Sequence, residues 1–204
     1  MAARVMDAKE KVLQAAVRAF AAAGYAGTSV HDILKATGLS KPTLYYYFQS
    51  KEGLFRAILA FAYDESFRRM QVATTGEGTC AQRLVKMAGA VFAFATEHRD
   101  LMRLVFATIF AAPGEIPSGV VDAGKRRRSF ELARSLVQEG QRARELDPKR
   151  DPLELTHAIF GAISHQVRMH LIDPDGTHGA LDRKRAGRVV DLFLSGARYQ
   201  RRRP

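Results

Sequence analysis

With 204 residues and a formal charge of +11, the chain is long enough for two modest domains and basic enough to favour a polyanionic partner. A single cysteine, Cys80, excludes an intrachain disulfide framework, and no apolar run approaches the ~18 residues of a membrane span, Lys86 and Arg103 breaking the two most hydrophobic regions. The opening MAARVMDAKEK lacks the apolar stretch and small-residue cleavage site of a secretory leader, so a soluble, cytoplasmic protein without a membrane partner is expected.

The first predicted helix runs from about Asp7 to Gly24, with Val12, Ala16, Phe20 and Ala23 on one side. The next is short. Thr28 or Ser29 offers a side-chain oxygen to the free amides at its start, and Asp32 places negative charge near the positive end of the dipole. Val30, Ile33, Leu34 and Thr37 recur at helical spacing, and Gly38 follows where a left-handed turn is cheap for glycine alone. A third helix opens at Ser40 with Pro42 in its first turn, where the missing amide donor costs nothing. Leu44 and Phe48, four apart, point inward. Lys41, Pro42, Thr43, Tyr45, Tyr46 and Tyr47 are left on the start and outer side, with Lys51 just beyond. Duplex DNA suits such a surface: phenols donate to phosphates, Pro42 and ring edges meet thymine methyls, and Thr43 reaches a base edge or phosphate.

Capped helix, glycine turn and second capped helix stand at helix-turn-helix spacing. From about Lys9 to Leu54 the chain resembles the DNA-binding domain of the tetracycline-repressor-like (TetR) family of bacterial transcription regulators. The landmarks are Ala16, Phe20, Gly24, Tyr25, Thr28, Ser29, Val30, Ile33, Gly38, Leu39, Ser40, Thr43, Leu44, Tyr45, Phe48, Lys51 and Leu54. The resemblance implies a helix-turn-helix domain over residues 1–51 and a helical effector-binding and dimerisation domain over 52–204. It further implies that Lys41, Pro42, Thr43, Tyr45 and Tyr46 face the major groove from the helix opened by Ser40, while Tyr47, Lys51 and the cap at Thr28 fix phosphates. Many members have histidine where Tyr47 stands; a phenol keeps a donor but gains no charge, so a phosphate bond there is expected to ignore mild acid.

Residues 1–51 hold seven Lys or Arg against three Asp or Glu, so this region is basic, but most of the excess charge lies beyond it. Part of that excess sits in Lys125-Arg126-Arg127-Arg128 and in the tail Arg201–Arg203. Both are read as solvated charge runs and neither is assigned to a site. The flanks of Cys80 (Thr79, Ala81, Gln82) offer nothing to lower its pKa, so the thiol is read as inert.

A helix from about Lys51 to Val72 carries Leu54, Ile58, Phe61 and Phe67, and Thr74–Gly78 breaks it. Leu84, Ala88, Val91, Phe92 and Ala95 mark a helix ending near His98; Leu101, Leu104, Val105, Thr108 and Ile109 mark another. After a loop at Pro113–Pro117 come helices over about Gly119 to Arg144, Pro152 to Leu171 and Leu181 to Arg198, separated at Asp147–Pro152. No run alternates like a strand, so the fold class is all-α.

The last two helices are apolar on more than one side, with Leu155, Ala158, Ile159, Ala162 and Ile163 on one and Val189, Val190, Phe193 and Ala197 on the other. Either they are buried centrally in a monomer, or, as the resemblance implies, they form a four-helix bundle in a homodimer. Phe92, Met102, Phe106, Phe110, Phe130 and Phe160 offer an apolar lining for a small-molecule effector, and Thr108, Ser164, His165 and Gln166 offer polar points. No catalytic, metal or cofactor motif is present, and His157, His165 and His170 are spaced too unevenly to share a helix face. The expected function is a ligand-released repressor that binds a palindromic double-stranded DNA operator. The alternatives are an activator or non-specific DNA binder of the same fold, or a helical ligand carrier.

Overall fold

A computed structural model describes residues 7–173, 176–177 and 179–197. Nine α-helices and no strand occur among these residues: α1 (Ala8–Gly27), α2 (Val30–Thr37), α3 (Lys41–Phe48), α4 (Lys51–Thr74), α5 (Cys80–Glu97), α6 (Arg99–Ile109), α7 (Ala123–Arg142), α8 (Pro152–Ile172) and α9 (Arg183–Ala197). The all-α expectation holds. Boundaries move by a few residues, most at α7, which starts at Ala123 rather than near Gly119. Gly24 does not end α1; it kinks it at φ 71°, and one further turn reaches Gly27.

Packing divides the chain into two compact units. One comprises the chain up to Tyr63 together with His98–Asp122; the other comprises Asp64–Glu97 and the chain from Ala123 onward. In the first, α2 and α3 pack on α1, and α6 lies along α1 as well. Its core is Val12, Ala16, Phe20, Ile33, Leu44, Leu54, Phe55, Ile58 and Leu104, all nearly inaccessible to solvent. Phe20, Tyr25 and Phe55 form one aromatic cluster, with ring centroids 4.9–5.8 Å apart.

In the second unit α5 is central, packed against α7, α8 and α9. Met87, Ala88, Phe92, Ala133, Val137, Ile159, Val167 and Val190 fill that core. Cys80 opens α5 inside it: its Sγ lies 3.4 Å from the Leu136 carbonyl oxygen, and its amide donates to Glu145 Oε2 at 2.8 Å. Burial first, then the Glu145 carboxylate, push the thiol up to about 12, so it stays protonated at neutral pH. No helix of the described residues is long and apolar enough to cross a membrane.

Candidate nucleic-acid interface

The turn between α2 and α3 is built from local hydrogen bonds. Ser29 caps α2 with a reciprocal box: Asp32 N–H donates to Ser29 Oγ at 3.1 Å and Ser29 N–H donates to Asp32 Oδ2 at 2.9 Å. The Ser29 hydroxyl, donating to Asp32 Oδ2 at 2.6 Å, and then the Ser29 N–H hold the Asp32 carboxyl below its ordinary value. Gly38 ends α2 in the left-handed region at φ 68°, its N–H donating to the Leu34 carbonyl at 2.9 Å. Two residues later Ser40 caps α3: Thr43 N–H lies 3.4 Å from Ser40 Oγ, and the two hydroxyls are 2.8 Å apart. Pro42 sits in the first turn as expected.

Leu44 and Phe48 are buried and pin α3 to its unit, which fixes what the rest of the helix presents. Tyr46 is 82 % exposed, against 39 % and 40 % for Tyr45 and Tyr47. Tyr46 and Tyr47 meet edge to face at 5.1 Å, and the Lys41 ammonium stands 5.7 Å from the Tyr45 ring centroid. Lys41 and Pro42 are exposed and Thr43 is half-buried. One short helix therefore offers solvent a cation, a proline, a hydroxyl and three phenols.

Two residues of the expected set are occupied otherwise. Thr28 is not the cap of α2, which is Ser29; it is buried at the end of α1, its hydroxyl within 2.8 Å of the Gly24 carbonyl and 3.1 Å of the Ala19 carbonyl. A hydroxyl turned onto its own helix is not presented to a phosphate. Lys51 is half-buried, and Nζ donates to the carbonyls of Tyr25 and Thr28 at 3.0 Å each while lying 4.2 Å from the Tyr25 ring centroid. It ties the start of α4 to the end of α1, leaving one N–H of the ammonium for anything else.

The expected effector lining is divided between the two units. Met102, Phe106 and the 73 % exposed Phe110 belong to the first unit. Phe92, Phe130, Phe160, His165 and Gln166 belong to the second. Phe92 is core, Phe130 and Phe160 meet edge to face at 5.6 Å, and Gln166 accepts from Arg185 at 3.1 Å. His165, on the exposed side of α8, bonds Arg168 instead. A cavity of about 460 Å³ in the first unit is lined by Phe20, Tyr25, Phe55, Arg103, Thr108 and Glu115 among others. One of about 370 Å³ in the second lies between Phe67 and the first turns of α7. Of the expected pocket residues, only Thr108 lines either.

The dimer candidates divide in the same way. Leu155, Ile159, Ile163, Val190 and Ala197 are buried in the core of their own unit. Ala162, Val189 and Phe193 are half-buried, and Ala158 is exposed. The uncovered apolar surface is the opposite side of the pair, where Gly161 on α8 and Gly196 on α9 are open and Leu192 is 78 % exposed. Leu192 falls off the main stripe of α9 and stands outside the expected interface set. The tail Arg201–Arg203 lies outside the described residues.

Residues 12–58, which hold the whole α2–turn–α3 arrangement, match the family described as bacterial regulatory proteins, tetR family. This region is a tetR-family helix-turn-helix domain. Among curated relatives, the uncharacterized HTH-type transcriptional regulator YdgC of Bacillus subtilis is 26 % identical over 201 residues, covering 96 % of this chain and 95 % of that one. YuxN of the same organism is 35 % identical over 102 residues, covering 48 % of this chain; the match spans about a third of YuxN, 34 %. Among solved structures, the regulator FadR from Bacillus subtilis, in complex with stearoyl-CoA, superposes with a TM-score of 0.77 at 20 % identity, over 91 % of this chain and 97 % of that one. The fold shared with that regulator extends past the helix-turn-helix to almost the whole chain.

Proposed function

We propose that this tetR-family regulator is a homodimeric repressor: residues 1–51 read one half of a palindromic operator, residues 52–204 dimerise, and a small organic effector releases the complex. The observation that carries the reading is Tyr46, 82 % exposed on a helix whose other face is locked by Leu44 and Phe48. A large apolar side chain held out by a rigid helix is explained by a surface that covers it on binding. The α3 N-terminus brings the positive end of its dipole toward phosphates, while Lys41, Pro42 and Thr43 lie where base edges are reached in a major groove. Tyr45 and Tyr47 are half-exposed, and in this reading their phenol hydroxyls donate to the flanking backbones.

Two copies are needed because a single eight-residue helix reads only a few base pairs. We put the second copy against the exposed Ala158 and Gly161 of α8 and Leu192 and Gly196 of α9, since small residues let helices approach closely and Leu192 supplies an anchor. Release by an effector requires a difference in affinity between the DNA-competent and incompetent states; shifting occupancy from 99:1 to 1:99 takes about 5.5 kcal/mol. That the same fold in FadR holds stearoyl-CoA supports a regulator domain able to admit an organic ligand.

Footprinting on DNA selected from a random pool by the purified protein tests the reading. A discrete palindromic footprint, lost in Tyr46→Ala, is expected. Diffuse protection makes the protein an architectural DNA binder, and no protection at all rejects the reader.

A further inference from the structure

We propose that the cleft between Phe67 of α4 and the first turns of α7 binds a small organic anion, a carboxylate on an aromatic or apolar body, with Arg127 and Arg128 holding the charge. This names a chemical class for the effector and rests on the regulator reading given above. The cleft, about 370 Å³, is lined by Phe67, Gly124, Arg127, Arg128, Glu131, Leu132 and Ser135, a volume within the range of small-ligand sites.

Donors outnumber acceptors there. Asp64 takes one bond from Lys125 and one from Arg128, which engages both of its oxygens. Arg128 Nε is nevertheless buried with no hydrogen-bond partner, and so is Arg134 Nε one and a half turns along α7. Both atoms are sealed from solvent, so an anion in the cleft is met by the exposed Arg127 guanidinium and by the solvent-facing part of the 41 % exposed Arg128 side chain. Glu131 forms ion pairs with Arg127 and Arg134 at 3.6 Å each, too long for hydrogen bonds, so it offsets part of the charge without satisfying the guanidinium donors. Arg127 is 77 % exposed at the mouth and stays open to an incoming acceptor.

The other half of the cleft is apolar. The Arg128 guanidinium lies 4.8 Å from the centroid of the Phe67 ring, so charge and π-face are presented side by side. Leu132 and the side-chain-free Gly124 continue that surface, and the Ser135 hydroxyl is turned away, donating to the Leu132 carbonyl at 2.8 Å. A bare phosphate leaves Phe67 and Leu132 wet, whereas an uncharged aromatic leaves the guanidinium donors unmet. An aromatic carboxylate satisfies both. Glu131 opposes it, and moves toward Arg134 as the ligand takes its place beside Arg127.

Isothermal titration of the full-length protein with 2-naphthoate, with the uncharged 2-naphthalenemethanol and with inorganic phosphate tests the site directly, without DNA. Naphthoate is expected to bind at least about tenfold more tightly than either comparison compound, the difference made by one charge-assisted contact. Arg127→Gln is expected to weaken naphthoate about tenfold and Glu131→Gln to tighten it several-fold. Both side chains are exposed, 77 % for Arg127 and 45 % for Glu131, so both variants should fold. Equal affinity for the acid and the alcohol, phosphate binding as well as naphthoate, or no response to either variant overturns the proposal. Operator release is measured in parallel. Naphthoate that binds with this profile while the DNA complex persists keeps the site and removes its role as effector pocket; release without binding at Arg127 keeps the regulator and rejects the site.

Discussion

Lys51 shows how a residue type can be right for a role and its environment wrong for it. Its ammonium spends two donors on the carbonyls of Tyr25 and Thr28. A lysine that contacted phosphate freely would change the salt dependence of DNA binding by about one unit on removal. Lys51→Met is instead expected to shift that slope by much less than one unit while lowering the unfolding midpoint by several degrees, because two carbonyls at the end of α1 lose a charged donor. Calorimetry and binding over a salt series separate the two; a full unit of slope at unchanged stability restores Lys51 to the phosphate contacts. Tyr46 is the opposite case. Being 82 % exposed, it contributes little to folding, so Tyr46→Ala should leave the unfolding midpoint in place and cost about 1–3 kcal/mol of operator affinity with relaxed sequence preference. Fluorescence anisotropy on cognate and scrambled duplexes reads this, and an equal loss on both would make Tyr46 a backbone contact.

At the scale of elements, the α3–α4 corner determines where the reader helix points. Gln49 ends α3 with φ 63°, its N–H donating to the Tyr45 carbonyl at 2.9 Å, and Gly53 follows in the first turn of α4. A Cβ on Gly53 would collide with the Phe48 carbonyl oxygen, a backbone atom that cannot step aside without shifting α3. Gly53→Ala is therefore expected to cost about 1–3 kcal/mol of stability and to impair DNA binding beyond the unfolded fraction, since the overpacked corner re-aims Tyr46. Retained stability with retained binding would show that the corner is soft. Further along α4, Glu65 accepts from Arg68 and from Arg69, bonds that hold its carboxyl down from 4.5 to about 2. The folded value lies below the unfolded one, so this contribution is full above pH 4.5 and is lost as pH falls toward 2. Urea unfolding between those limits should show falling stability in the wild type and a flatter profile in Glu65→Gln; parallel profiles would mean that the pairs are too solvated to matter.

For the whole molecule, the proposed dimer depends on a face that α8 and α9 leave uncovered after building their own unit. Leu192→Glu should convert the protein to a monomer by sedimentation velocity with its helical circular dichroism intact, and should weaken binding to a palindrome far more than to a half-site. A dimer that survives the substitution places the interface elsewhere. Most of the fold was legible in advance: the spacing of Leu44 and Phe48, the caps at Ser29 and Ser40 and the turn at Gly38 are written within a few residues of one another, and local hydrogen bonds and 3.6-residue periodicity turn them into a helix-turn-helix. Within the reader, the same signals placed Lys41, Pro42 and Tyr46 on the open side of α3. What the sequence could not determine was which of two apolar faces a helix spends on its own core, because that depends on neighbours distant in the chain. So Ile159 and Val190 went inward and Leu192 outward, Phe92 filled a core instead of a pocket, and α6 packed on α1, far from it in sequence. Periodicity names the stripe; only tertiary packing, where many burial and hydrogen-bonding demands are met at once, decides what covers it and which lysine becomes a strut.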